Sequence, residues 1–190
     1  MVTILVWPDS LLFPALILLT GTGATALAVA RGLPAPARRA IGRRVVIGLI
    51  AGAVATAVYD VVRYGLVTLL SWSVDPFRPF TLFGQLLVGR DAPGPALWAA
   101  GIAYHVLNGL GFAIGYTIVV RRPGLISAVV WAMVLETFTI LLYPDWLGLT
   151  AVGEFYSMSM LGHVAYGLAL GAVAMRMTAT TAEVKIHDGP

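Results

Sequence analysis

The chain has no cysteine. Disulfides, thiolate metal sites and cysteine nucleophiles are therefore excluded. It is also poor in charge. Only 11% of its 190 residues are Asp, Glu, Lys or Arg, against about 25% in ordinary soluble domains. With 59% hydrophobic residues, a soluble fold of this length would be left with apolar surface it could not cover. A bilayer removes that difficulty, because the outer face of the protein meets hydrocarbon. Other absences narrow the chemistry. There is no G-x-S-x-G elbow, no Walker loop and no D-D-x-x-D pattern. Glu154, Ser157, Ser159 and His163 can be drawn as a Ser/His/acid set, but serines at a helix entrance more commonly cap or join helices.

What is present is a series of apolar runs. A helix needs about 20 apolar residues to cross the hydrocarbon, and five stretches qualify: 10–30, 45–70, 96–120, 125–143 and 156–177. The fold expected is all-α, an integral membrane bundle of about five transmembrane helices. The first run is longer than the roughly 7–15 residues of a signal-peptide core and has no basic residue before it. It reads as an uncleaved span. No polar stretch is long enough for a second domain, and residues 178–190 read as a short disordered cytoplasmic tail.

The net charge of +3 encodes topology. Arg31, Arg38, Arg39, Arg43 and Arg44 follow the first run, Arg121 and Arg122 follow the third, and Arg176 and Lys185 follow the fifth. The alternate connections hold only Arg78 and Arg90. This bias places the N-terminus outside and the C-terminus in the cytoplasm. The same distribution argues against a nucleic-acid partner. The Ala, Gly and Arg bias suggests a bacterial or archaeal cell membrane, crossed several times. The external connections are rich in aromatics. Phe80–Val88 reads as a short interfacial helix, and Trp146 and Leu147 lie in the second connection. Anchoring is the simplest role for both; a lid over the outer half of the bundle is the functional one.

Five ionisable residues interrupt the runs: Asp60, Arg63, His105, Glu136 and His163. A charged group at a helix centre costs about 2.5–3.5 kcal/mol when unpaired, so these should face inward and pair. Counted at 1.5 Å per residue from the external helix ends, all five fall about 10–15 Å deep. His105-Val106-Leu107-Asn108-Gly109-Leu110 and His163-Val164-Ala165-Tyr166-Gly167-Leu168 share the pattern H-V-x-x-G-L. In each, the glycine four residues after the histidine shares its face and lets another helix approach. Gly167 and Gly171 also form a G-x-x-x-G, read as packing within the chain.

The layer admits several readings. It is a structural hydrogen-bonded network, or a site in which His105, His163, Glu136 and Asp60 act. Such a set would bind Zn or non-haem Fe, or perform acid–base chemistry on a hydrophobic or lipid-like molecule. Two histidines on separate helices could also clamp a haem. Arg63 would pair with Asp60 or hold an anionic head group, with Asn108, Tyr104 and Tyr166 as supporting ligand contacts. A proton-coupled transporter and an accessory subunit of a larger membrane complex are the alternatives of a different kind.

Overall fold

The computed structural model describes residues 29–142 and 151–187. Among them are five helices and no strand: α1 (Ala35–Leu70), α2 (Arg78–Val88), α3 (Gly94–Val119), α4 (Leu125–Leu142) and α5 (Val152–His187). Three are long and apolar enough to cross a membrane, over Ala35–Leu70, Gly94–Val119 and Val152–Ala179. The apolar α4 is shorter, about 27 Å over its 18 residues. The expected span 10–30 lies almost wholly outside the described residues, as does the connection carrying Trp146 and Leu147.

The helices match the apolar runs but overshoot two of them. α1 begins at Ala35, ten residues ahead of its run, because Pro34 and Pro36 are tolerated in a first helical turn. Its 36 residues would measure about 54 Å, far more than a hydrocarbon core of about 30 Å. The arginine-bearing turns are thus helical without being apolar. α5 continues to His187, where the sequence had suggested a disordered tail from residue 178. The stretch Thr178–His187 contains neither Gly nor Pro, and no breaker occurs until Gly189 and Pro190. Polarity alone did not end the helix.

The chain divides into two compact units. The first comprises residues 1–38 and 77–105; the second comprises residues 39–76 and 106–190. In the first, α2 packs against the opening half of α3. A Cβ on Gly84 would collide with the Leu97 backbone, and one on Gly101 with the Phe80 backbone. The two backbones approach at these glycines, and aromatic rings close the flanks. Phe80 meets Trp98 edge to face at 6.0 Å, and Phe83 stacks on Tyr104 at 4.6 Å.

In the second unit, the faces turned inward are smaller than those turned outward. On α1 the buried stripe is Ile47, Gly48, Ala51, Gly52, Ala55 and Thr56. Val46, Leu49, Ile50, Val54 and Val61 are exposed. This is the pattern of a helix whose outer face meets lipid, where close approach of backbones, not apolarity, distinguishes the interface. A Cβ on Gly48 would sit 2.6 Å from Ile114 Cα, and one on Gly52 would sit 2.7 Å from Ala113 Cβ. The G-x-x-x-G of α5 packs within the chain: Gly167 lies against Val129, and Gly171 against Gly124 and Ala128 of the α4 entrance.

Buried polar groups serve as fasteners. The Tyr116 hydroxyl donates to the Gly124 carbonyl at 3.0 Å, accepts from the Gly124 amide at 2.9 Å and meets Ser127 Oγ at 2.8 Å. It ties α3 to the start of α4. Glu154, in the first turn of α5, accepts through Oε2 from the Ser73 amide and hydroxyl and from the Val74 amide, at 2.7–3.0 Å. It fixes the chain just after α1, where Ser71 turns with φ of 52°, and its charge complements a helix N-terminus.

Gly167→Ala should lower stability in detergent by about 1–3 kcal/mol, because its new methyl meets backbone that cannot yield. Gly111→Ala, whose Cβ would meet nothing within 4 Å, should raise it by about 0.5–1 kcal/mol through helix propensity. Thermal unfolding of the two purified variants beside the parent checks both signs.

Candidate functional site

Three helices of the second unit contribute polar side chains to one buried cluster. From α1 come Tyr59, Asp60 and Arg63; from α4 comes Glu136; from α5 come Ser159 and His163. Their positions follow from helical spacing. Tyr59 and Arg63 are four apart, as are Ser159 and His163, so each pair projects from one face. Small residues open the space. A Cβ on Gly162 would come within 2.8 Å of the Tyr59 ring and 3.1 Å of Arg63 Cγ. The absence of that methyl allows α5 to receive these large side chains.

Arg63 is 3% exposed. Its Nη2 donates to the Pro76 carbonyl at 2.5 Å, and its Nη1 lies 3.9 Å from Asp60 Oδ1. Its guanidinium carbon stands 4.9 Å from the centre of the Tyr59 ring, within range of a cation–π contact. The internal pair with Asp60 expected from the i, i+3 spacing is present at a loose distance, and Asp60 is the more exposed member. The guanidinium also holds the backbone that follows α1, a partner that no side-chain pattern could have indicated.

Glu136 is completely buried. Its Oε2 lies 3.0 Å from His163 Nδ1. The same nitrogen is 2.9 Å from the Ser159 carbonyl oxygen. A carbonyl oxygen can only accept, so Nδ1 carries the hydrogen and Nε2 is the nitrogen that gains or loses a proton. The carboxylate therefore faces the N–H side of the ring. Ser159 is adjacent to both the Tyr59 hydroxyl and the Glu136 carboxylate, and the Tyr59 ring meets the His163 ring edge-on at 4.9 Å. Asp60 and Arg63 offset each other. Glu136 and His163 are a carboxyl and an imidazole in contact, a pair able to pass a proton between them.

The remaining candidates lie elsewhere. His105 belongs to the first unit, where its ring meets Phe80 at 4.8 Å. Tyr104 stacks on Phe83 in the same unit. Tyr166 is in the second unit but reaches α3, donating to the Gly109 carbonyl at 2.5 Å. Asn108 is half-buried on α3. Among the described residues no three His, Asp or Glu side chains group as metal ligands, so the expected Zn or non-haem Fe centre gains no support. Glu154, the acid of the drawn Ser/His/acid set, is occupied with Ser73 and Val74. Tyr59 and Ser159 were missed as site residues. Their spacing to Arg63 and His163 was the available signal.

Removing the Arg63 charge leaves Asp60 and the Pro76 carbonyl without their shared donor. Arg63→Met should cost about 3–5 kcal/mol, the usual penalty for breaking a buried ionic contact from one side. Thermal unfolding in detergent is the measurement, and an unchanged midpoint would refute the bridging role of this side chain.

No curated protein and no solved structure matches the chain. A family model does match, over residues 42–184. That range takes in the whole of the buried cluster, and the chain therefore belongs to the family of unknown function DUF6789.

Proposed function

We propose that the chain is a multi-pass membrane protein with an intramembrane acid–base site, in which His163, backed by Glu136, exchanges a proton with a hydrophobic or lipid-like molecule. The observation that carries this reading is the fully buried Glu136 carboxylate set 3.0 Å from His163 Nδ1. A carboxylate facing the N–H side of an imidazole fixes its tautomer and stabilises the imidazolium that forms when Nε2 takes a proton. Glu136 is the positioning residue and His163 Nε2 the acid–base atom. Tyr59 and Ser159 border the pair, and Arg63 supplies a fixed positive charge nearby. Asp60, on the same face of the cluster as Arg63, is the candidate for contact with the bound molecule.

Purely structural glue would satisfy its own oxygens, since an unfilled buried acceptor costs about 1–3 kcal/mol. The fully buried Glu136 carboxylate has only the Ser159 side chain and the His163 ring to answer it. A site that sacrifices stability for chemistry has this character. The close glycine and alanine contacts of α1 with α3 occupy the stretch from Gly48 to Ala55. They favour a site reached from one side over a proton-coupled transport path.

The finer topology belongs to the same proposal: five spans, an external N-terminus and a cytoplasmic C-terminus, in a bacterial cell membrane. In its support, Arg43 and Arg44 near the start of α1, Arg121 just after α3 and Thr178 late in α5 border a single cleft. The basic connections thus share one end of the second unit.

Glu136→Gln keeps the shape and removes the ionisable proton. We expect its melting temperature in detergent to equal or exceed that of the parent, since a costly buried carboxylate is gone. We also expect infrared difference spectra between about pH 5 and pH 8 to show carboxyl or imidazole proton exchange in the parent, lost in Glu136→Gln and in His163→Gln. A marked fall in the Glu136→Gln midpoint, with no exchange signal in the parent, would return the pair to a structural role.

A further inference from the structure

At the other end of the second unit the arginines make a second site. Arg43 and Arg44 precede the apolar stretch of α1, and Arg121 lies two residues beyond the end of α3. The three border one cleft, with Thr178 of α5 on its rim and Ile47 and Val120 as apolar walls. Ile47 is buried, whereas Arg43 and Arg121 are exposed.

The three cations are not equivalent. Arg44 Nη1 donates to the carbonyls of Thr117, Ile118 and Val120 at 2.9–3.4 Å. It caps the C-terminal end of α3, where unpaired carbonyls and the helix dipole call for a cation. Thr117 Oγ1 returns a bond to the Arg44 carbonyl at 2.8 Å, so the Arg44 backbone and side chain are both fixed. Arg43 and Arg121 have no such task among the described contacts, yet the fold holds them around the same opening as Arg44. Among the described residues no Asp or Glu borders the cleft. Three like charges converging on one concavity repel one another unless an anion lies between them. Guanidinium groups offer paired N–H donors that fit phosphate oxygens.

The surroundings select the source of that phosphate. The cleft opens where apolar helix surface gives way to arginine-bearing turns: Val46, Leu49 and Ile50 of α1 are exposed immediately beyond it. That is the level of lipid head groups, and basic pockets between spanning helices are suited to them. We propose that this cleft binds the phosphate of an anionic lipid head group, with Arg43 and Arg121 as its ligands and Arg44 as the fixed charge at its base. Ile47 and Val120 would meet the glycerol and upper acyl region.

The test uses the full chain purified in detergent, titrated with phosphatidylglycerol or phosphatidylcholine and read by native mass spectrometry. Phosphatidylglycerol should bind at least about tenfold more tightly than phosphatidylcholine, the worth of a charge-assisted hydrogen bond. The double variant R43Q/R121Q should lose that preference. R39Q/R122Q removes the same charge from neighbouring turns outside the cleft and should keep it. Arg44 is left intact because the α3 end depends on it. Equal binding of the two lipids by the parent would overturn the proposal, and so would equal loss in both double variants, which would mark diffuse surface attraction. Inorganic phosphate is the third probe. If millimolar phosphate displaces phosphatidylglycerol completely, the cleft is a site for a soluble anion and the lipid assignment fails. The parent's lipid preference is read without any variant, so a poorly folded R43Q/R121Q would not shield the proposal.

Discussion

In hydrocarbon every polar group must be answered from within the protein, since no water stands by to replace a missing partner. That constraint orders the second unit. Where backbones alone meet, as at Gly48 against Ile114 or Gly167 against Val129, small residues bring the helices close and dispersion holds them. Where side-chain polarity enters, it is routed to backbone carbonyls. Arg63 goes to Pro76, Tyr166 to Gly109, Trp131 to Phe112 and Arg44 to the end of α3. Each of these side chains crosses from one segment to another, so a polar residue that would be a burden on a lone helix becomes a tie between two.

Glu136 departs from that economy. It is buried as deeply as Ala132 on the same helix, and its carboxylate meets side chains, His163 and Ser159, rather than backbone. Nδ1 of His163 lies between that carboxylate and the Ser159 carbonyl. The resulting contact is electrostatic and sensitive to where one proton resides, whereas the Arg63 and Tyr166 ties are indifferent to protonation. Two kinds of buried polarity thus coexist a few ångströms apart, one that fastens and one that can change state.

The sequence made the helices legible because length and hydropathy are local properties. The run 125–143 became α4 at 125–142, and the proposed interfacial helix Phe80–Val88 became α2 at Arg78–Val88. Helix ends were less legible. Apolar runs mark what hydrocarbon accepts, whereas a helix stops at Gly or Pro, so α1 and α5 continue into polar turns. Within the site, position along each helix was readable, and Glu136, His163 and Arg63 do lie in one cluster. Azimuth was not. His105 and His163 share a motif and an inferred depth, yet His105 meets Phe80 in the first unit while His163 meets Glu136 in the second. Which way a side chain faces depends on the rotation of its helix, a matter of tertiary packing such as Gly101 against Phe80 and Gly162 against Tyr59. The Pro76 carbonyl that Arg63 reaches and the Ser73 and Val74 amides that Glu154 holds were hidden for another reason: they are backbone groups at a turn, and backbone carries no residue-specific signal.

The repeated H-V-x-x-G-L motif shows how the same letters come to do different work. Its glycines behave alike: Gly109 receives Thr56 of α1, and Gly167 receives Val129 of α4. Its fourth positions do not. Asn108 is a short amide on a half-buried face, whereas Tyr166 is long enough to reach the Gly109 carbonyl on α3. That bond joins the two copies directly, the fourth residue of one to the fifth of the other. With α5 held there, His163 one turn earlier is presented to Glu136. The Glu136–His163 contact thus lies one turn from a tyrosine that ties two helices. In this unit the precision of the site is supplied by helix contacts that surround it, and the motif specifies the contact surface more than the chemistry.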